Sequence, residues 1–465
     1  MAKDFIVAIE LGSSKMTGIA GRKNPDGSIS ILAVAKEDSA SYIRKGVAYN
    51  IERTAQGLSN IVSKLKNTLK TEIEQVYVGI GGQSIHSVKN SIVKELPLDC
   101  IVSQDMVNEL MDTNRSMEYK DCEILDAITQ EYNVDGHYED DPVGIQARHL
   151  EGNFLNVLWR RSFYRNLNKS LDNSGIKVAE MYLAPLTMAD CVLTDAEKRA
   201  GCVLVDLGAD TTTVSVYYRN KLRHIAVLPL GGSNVTKDLE SLQIDEINAE
   251  AMKLKHASAL TNEKDIDADA TLPIGDGRTI PSRMFIQVVE ARMLEIVENV
   301  KYLVPHEFAD KLLGGIVLTG GGSNMKNVEK LFHEVFDVEK VRIAKSTTLN
   351  INKKDSDVIL SEDGTTNTIL GLLAKGDMNC AGRAISGSLF DEEVEPDSEN
   401  TVTLDPTLAA TGTQPAAQTT AQPAANAEEE EEEKAPEPHK PTKFSRFFGS
   451  LKKFGSSIFE PDVNE

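Results

Sequence analysis

Two short stretches carry residues that could hold a polyphosphate. The first is Glu10, Leu11, Gly12, Ser13, Ser14, Lys15, and the second is Asp206, Leu207, Gly208, Ala209, Asp210, Thr211, Thr212. Each places an acid two residues before a glycine, followed by small or hydroxyl-bearing residues. Glycine after a strand lets backbone approach a ligand closely, and successive amides in a turn form an anion-binding concavity. Hydroxyls and the Lys15 ammonium would add donors. The acids Glu10 and Asp206 would hold a magnesium ion through water. Taken singly, either stretch could be a plain hairpin turn. The spacing of 196 residues between Glu10 and Asp206, with matching surroundings, points to a duplicated motif. A third stretch, Leu318, Thr319, Gly320, Gly321, Gly322, Ser323, ends an apolar run and opens a helical one. It offers a flat glycine floor and a helix N-terminus, suited to a base or a phosphate, or else an ordinary strand–helix turn. None of the three has the Walker A or dinucleotide-binding glycine spacing.

The elements that must position these residues follow from hydrophobic patterning. FIVAI at 5–9 and CVLVD at 202–206 read as buried strands. Each is followed by turn, strand, turn, strand. Residues 53–70 have helical spacing, and VYVGI at 76–80 is another buried strand. Residues 84–160 read as a small α+β insertion, with short strands at 84–94, 143–149 and 154–160 around a helical region near 103–130. A helix at 162–173 follows. Residues 245–300 read as two helices around a polar middle. GIVLT at 315–319 is a further buried strand, and a last short helix is expected at 365–375.

Composition narrows the function classes. The 465 residues carry a net charge of −21, which argues against nucleic-acid binding. Five cysteines without paired spacing argue against a disulfide framework or a cysteine zinc site. No apolar stretch suggests a signal peptide or a transmembrane helix. Residues 391–440 contain 14 acids against 2 bases, including the run Glu428 to Glu433. That composition cannot bury enough apolar surface to offset ordering, and it predicts a disordered acidic linker over 391–442. The segment 443–459 differs. Phe444, Phe447, Phe448, Leu451, Phe454 and Ile458 recur at helical spacing among Lys443, Arg446, Lys452 and Lys453. This is the composition of an interfacial amphipathic helix, each base adding about 1 kcal/mol near an anionic leaflet. A helix docked on protein is the alternative.

The order acid–Gly–Ser, acid–Gly–Thr, Gly-Gly-Gly resembles that of the two-lobed actin/Hsp70-like ATPase fold. The stretches AIELGSSKMTGI, VYVGIGGQSI, VLVDLGADTTTVSVYYRNKLRHIAVLPLGG and GGIVLTGGGSNMKNVEKLF resemble, as a set, the FtsA family of bacterial cell-division proteins. The resemblance covers residues 5–380 and the last twenty or so. It implies subdomain 1A at 1–83 and 163–200, an inserted 1C domain at 84–162, and subdomain 2A at 201–244. Subdomain 2B would follow at 245–300, with 301–390 completing 2A and returning to 1A. It implies ATP and Mg2+ between the lobes. Gly12, Ser13, Ser14 and Lys15 would form the first phosphate loop, and Asp206, Gly208, Ala209, Asp210 and Thr211 the second. Gly320, Gly321, Gly322 and Ser323 would border the adenosine. Glu250 and Lys253, otherwise an exposed i, i+3 helical pair, would hold ribose and base.

The resemblance further implies self-association into actin-like filaments under the cytoplasmic membrane at the division septum. It implies capture of the FtsZ C-terminal peptide through 2B, contacts of 1C with later division proteins, and a peripheral anchor in anionic lipid at the C-terminal helix. Two departures matter. Glu10 stands where most actin-like ATPases have Asp, as is usual in this family. Ala184, in Tyr182-Leu183-Ala184-Pro185, stands where the family usually has Glu before Pro. Alanine cannot position an attacking water, so ATP binding is expected and hydrolysis is expected to be weak or absent. The alternative, a small-molecule kinase of the same superfamily, needs a general base that Ala184 does not supply. A chaperone-like ATPase needs a β-rich domain that the Pro/Glu-rich tail does not offer.

Overall fold

A computed structural model describes residues 4–384 apart from 266, 268, 276 and 353–359. The acidic linker and the C-terminal helix expected from the sequence lie outside the described residues. The expected strands at 5–9, 76–80, 202–206 and 315–319 form, each with its apolar run fully buried.

Two sheets organise the body. In the first, the strands run in the order Val178–Leu183, Val76–Ile80, Ile6–Leu11, Lys15–Lys23, Ile29–Asp38, with Ile351–Asn352 at the far edge. In the second, five strands run in the order Val341–Ile343, Gly315–Thr319, Cys202–Leu207, Thr212–Tyr218, Lys221–Leu228. The two quintets match strand for strand, parallel pairs on one side and antiparallel hairpins on the other. Register matches too. Glu10 pairs with Thr17 and Asp206 with Thr213, so both acids occupy the same place in their hairpins. The 196-residue offset is therefore a duplication of structure; one apolar core spans the first sheet and takes in Cys202, Leu204 and Val317 of the second, while Val203, Val205 and Leu207 belong to another core.

Helix Ile51–Leu69 covers the first sheet, capped by the Asn50 side chain on the Arg53 amide. Helix Arg161–Ser174 packs beside it and ends at Gly175 in the left-handed conformation. Helices Gly232–Glu240, Glu246–His256 and Ser282–Leu303 cover the second sheet around a hairpin, Thr271–Gly275 with Arg278–Pro281.

The insertion is a long antiparallel sheet with one helix, and it departs from the expected pattern. Helix Gln104–Arg115, capped by Ser103, stops at Arg115, and Cys122–Val134 is a strand rather than the continuation of a helix. Its Ala127, Gln130, Tyr132 and Val134 are buried in a pattern that is mostly alternate, which the mixed sequence CEILDAITQEYNV disguises. The strand expected at 143–149 is reduced to a bridge between Ile101 and Gln146, and His149–Arg160 is one continuous strand. The insertion has a small core of its own around Leu110, Leu150 and Phe154. Its sheet also runs on into the second lobe, where His86 pairs with Ala226 at the edge of the second quintet. Ser87 accepts the Ile225 amide at 3.0 Å and Gln130 donates to the Leu222 carbonyl at 3.1 Å.

Candidate functional site

Strand pairing places the two acids at the carboxyl ends of the central strands. Glu10 sits between Gly79 and Thr17, and Asp206 between Thr319 and Thr213. The two carboxylates repel each other within a desolvated space. Burial, and then Asp206, push the Glu10 carboxyl up to about 8, against the pull of the Thr368 hydroxyl and of Lys36. Burial alone pushes Asp206 up to about 6. A pair of acids held this way is relieved by a cation.

After each acid the chain makes the same four-residue turn. Leu11 pairs with Met16 and Leu207 with Thr212, leaving 12–15 and 208–211 as the loops. A Cβ on Gly12 would lie 2.5 Å from the Lys15 carbonyl oxygen, and one on Gly208 would lie 2.7 Å from that of Thr211. Both glycines are required by close backbone approach, so both turns are built alike. Ser14 and Lys15 face solvent.

The third stretch comes to the second loop. Gly320 has φ +81, and a Cβ there would lie 2.3 Å from Asp206 Oδ1. Gly322 lies against Leu207, whereas a Cβ on Gly321 would meet only the Thr365 methyl, at 3.6 Å. Gly321 thus presents open backbone on a short 3-10 turn, Gly321–Asn324, closed by the Ser323 hydroxyl donating to the Gly320 carbonyl at 2.7 Å. The α-helix expected directly after the glycines begins later, at Val328.

Glu250 and Lys253 reach the same place from helix Glu246–His256. Lys253 Nζ donates to the Gly232 carbonyl at 3.1 Å and to Thr236 Oγ1 at 3.0 Å, and lies 2.7 Å from Glu250. Thr236 donates to Glu250 at 2.5 Å. The Gly232 amide in turn donates to the Gly208 carbonyl at 3.0 Å. The pair is therefore wired to the second loop rather than lying on an open helical face.

Ala184 opens helix Ala184–Val192 with Pro185 in its first turn. It is buried against Gly79, the strand neighbour of Glu10. It brings no polar side chain to that position.

Sequence reasoning misses four contributors. Thr368 and Lys36 act on Glu10, and Thr236 joins Glu250 to Lys253. The fourth is the 43–48 hairpin, whose Lys45 amide donates to Asp210 at 3.1 Å while its Gly46 amide donates to Ser13 at 2.8 Å. The Lys45-Gly46 pair is a legible turn signal. Lys36 can be found through register, since Glu10, Thr17 and Lys36 form one row across three strands.

A family model described as Cell division protein FtsA matches residues 203–361, and one described as the SHS2 domain inserted in FtsA matches 82–158. The Cell division protein FtsA of Porphyromonas gingivalis is 32% identical over 354 residues, covering 74% of each chain. The chain belongs to the FtsA family of cell-division proteins. The FtsA of Neisseria meningitidis is 29% identical over 342 residues, 72% of this chain and 82% of that one. Among solved structures, one titled PilM-PilN type IV pilus biogenesis complex superposes with a TM-score of 0.53 at 14% identity, covering 79% of this chain and 97% of that one. The two-lobed actin-like α/β reading with an inserted α+β domain is thereby borne out. Among the described residues no helix is long and apolar enough to cross a membrane.

Proposed function

We propose that this FtsA-family chain binds ATP with magnesium between its lobes, polymerises on the cytoplasmic face of the membrane at the division septum, and tethers FtsZ filaments there. The observation that carries the nucleotide part is the pair of hairpins in identical register, each behind a half-buried acid and joined across the cleft through Lys45 and Asp210. The residues suit the group. Amides and hydroxyls of Gly12, Ser13, Ser14, Ala209 and Thr211, with the Lys15 ammonium, would hold phosphates. Gly320 and Gly321 would leave room for the adenosine, and Glu250 and Lys253 would flank it. Glu10 and Asp206 would hold magnesium through water, which this ion keeps readily. Bound Mg2+–ATP would supply positive charge between the acids and a ligand bridging the lobes. With Ala184 in place of a water-positioning group, the chain would turn ATP over weakly or not at all.

The inserted and second-lobe subdomains would carry the protein contacts. The 1C insertion would meet a neighbouring protomer and later division proteins. Subdomain 2B, at 245–300, would take the FtsZ C-terminal peptide. Ile247 and Leu254, 82% and 77% exposed on helix Glu246–His256, are apolar surface of the kind a peptide covers. Phe444, Phe447, Phe448, Leu451, Lys452, Lys453, Phe454 and Ile458 would enter anionic lipid.

Co-sedimentation with anionic vesicles tests the anchor, with ATP and magnesium, comparing the full chain with one truncated after Pro441. Pelleting of the full chain alone, weakened by salt, is the expected result. Both versions staying in solution would defeat the membrane-tethering half of the reading.

A further inference from the structure

A line of hydrogen bonds and close backbone contacts leads out of the cleft into the inserted domain. Strands Ile43–Arg44 and Val47–Ala48 pair around the two-residue turn Lys45-Gly46, with φ of +50 and +73. This is the tight hairpin turn that needs positive φ at both central residues. The amides at its tip go to the two phosphate loops, Lys45 N to Asp210 and Gly46 N to Ser13. The back of the turn lies on the 81–84 segment. The Gln83 amide donates to the Lys45 carbonyl at 2.8 Å. Gly46 and Gly82 touch so closely that a Cβ on Gly46 would come 2.4 Å from the Gly82 Cα. The Gln83 carbonyl then accepts from Trp159 Nε1 at 3.1 Å, and the Arg160 amide donates to Ser84 at 3.3 Å. Trp159 is buried at the end of the insertion's strand His149–Arg160.

We propose that the 43–48 hairpin relays the occupancy of the cleft to the inserted domain. The proposal rests on the nucleotide reading above and goes beyond it. Ser13, Asp210 and the Lys45 and Gly46 amides have two alternative sets of partners. They can bind one another, or they can turn to the terminal phosphate of a nucleoside triphosphate and its cation. Turning the Ser13 hydroxyl away releases the Gly46 amide. With no slack between Gly46 and Gly82, a shift of the turn must carry the 81–84 segment with it. Gln83 and Ser84 then move against Trp159 and Arg160. A nucleoside diphosphate lacks that third phosphate and would leave the tie in place. The hairpin is thus a single element that both sites bias, as a coupling route requires. The surface the insertion shows to partners would differ between triphosphate and diphosphate.

Trp159 is the chain's single tryptophan, so its emission reports on the far end of the route. The experiment records that emission from the full-length protein with magnesium and saturating ATP or ADP, while calorimetry measures binding of each. ATP is expected to shift the emission and ADP to leave it near that of the free protein. Ser13→Ala is expected to show the shifted emission before ATP is added and no further change after. Coupling is reciprocal. Trp159→Phe keeps a buried ring and loses the donor, so it should change the ATP-to-ADP affinity ratio by about fivefold, the low end of measured couplings. If calorimetry finds ATP bound but emission and ratio stay as they were, or if ATP and ADP shift the emission alike, the relay is wrong and the nucleotide reading stands. If calorimetry finds no ATP binding, the nucleotide reading fails and takes the relay with it.

Discussion

The hairpins at 12–15 and 208–211 share strand order, register and the close glycine, yet their side chains have diverged. The first carries Ser13, Ser14 and Lys15 behind Glu10. The second carries Ala209, Asp210 and Thr211 behind Asp206. The first therefore supplies hydroxyls and a cation, and the second a second carboxylate. The divergence extends to their neighbours. Ser13 accepts from Gly46, and Asp210 accepts from Lys45, so one small hairpin joins both. The second loop is further braced by Gly232 and by Lys253 behind it. The shared frame sets where the loops sit, and their differing side chains give the first loop a cation and the second an extra carboxylate beside the Thr211 hydroxyl. The lobes are complementary because they are no longer copies.

The strongest way to break this arrangement is at Gly320, which lies directly against the second loop's acid. Gly320→Ala puts a methyl at φ +81 and 2.3 Å from Asp206 Oδ1. Backbone strain and the clash should together cost about 3 kcal/mol and abolish ATP binding, read by thermal melting and calorimetry. A melt within a degree of the parent would remove Gly320 from the second loop's support. Ala184→Glu should have the next largest effect. A carboxylate beside Gly79 and Glu10 would raise phosphate release by up to about 100-fold if positioning of water is what the chain lacks. An unchanged rate in a folded, ATP-binding variant would place the limitation elsewhere.

The two acids should separate by pH. Both are raised, so the native state binds more protons than the unfolded chain. Stability therefore falls as pH rises, from 4.5 to about 8 for Glu10 and from 3.8 to about 6 for Asp206. Below the lower value each acid costs nothing, and above the upper value its cost is complete. In metal-free buffer, Glu10→Gln should gain on the order of 2 kcal/mol over the parent at pH 9 and almost nothing at pH 4. The gain from Asp206→Asn should level off by about pH 7. Denaturant melts across that range check both, and gains independent of pH would refute the burial argument.

Much of this site is legible in the amino-acid sequence. Acid-to-glycine spacing after a buried run marks both loops, and alternation between strand and turn marks the duplication. The family resemblance points to Glu250 and Lys253, which patterning alone leaves as a surface pair. What stays hidden depends on distances no local pattern encodes. Lys45 and Asp210 are 165 residues apart, and the Asp210 carboxylate accepts from the Lys45 backbone amide, so the Lys45 side chain does not announce the contact. Gln130 joins the insertion to the second lobe by bonding a backbone carbonyl. Strand Cys122–Val134 escapes a helix-or-strand reading because it meets the second lobe as well as its own sheet, so neither face shows a clean polar pattern.

The smallest expected effect sharpens the comparison most finely, since it sets a braced lysine against a free one. Lys253 lies partly buried behind the second loop with three oxygens around its ammonium, while Lys15 stands exposed on the first. Lys253→Met removes the donor that holds the Gly232 carbonyl and Thr236, and should cost about 1 kcal/mol of stability. Because Gly232 supports Gly208, ATP affinity should fall with it. Lys15→Met leaves no buried group without a partner, so its effect on stability should stay within about 0.5 kcal/mol. Any loss of ATP affinity it causes is then direct. If Lys15 weakens binding without moving the melt, and Lys253 moves both together, the first loop acts through its side chains and the second through its bracing. If both variants move the melt equally, the lobes have not divided the work in this way.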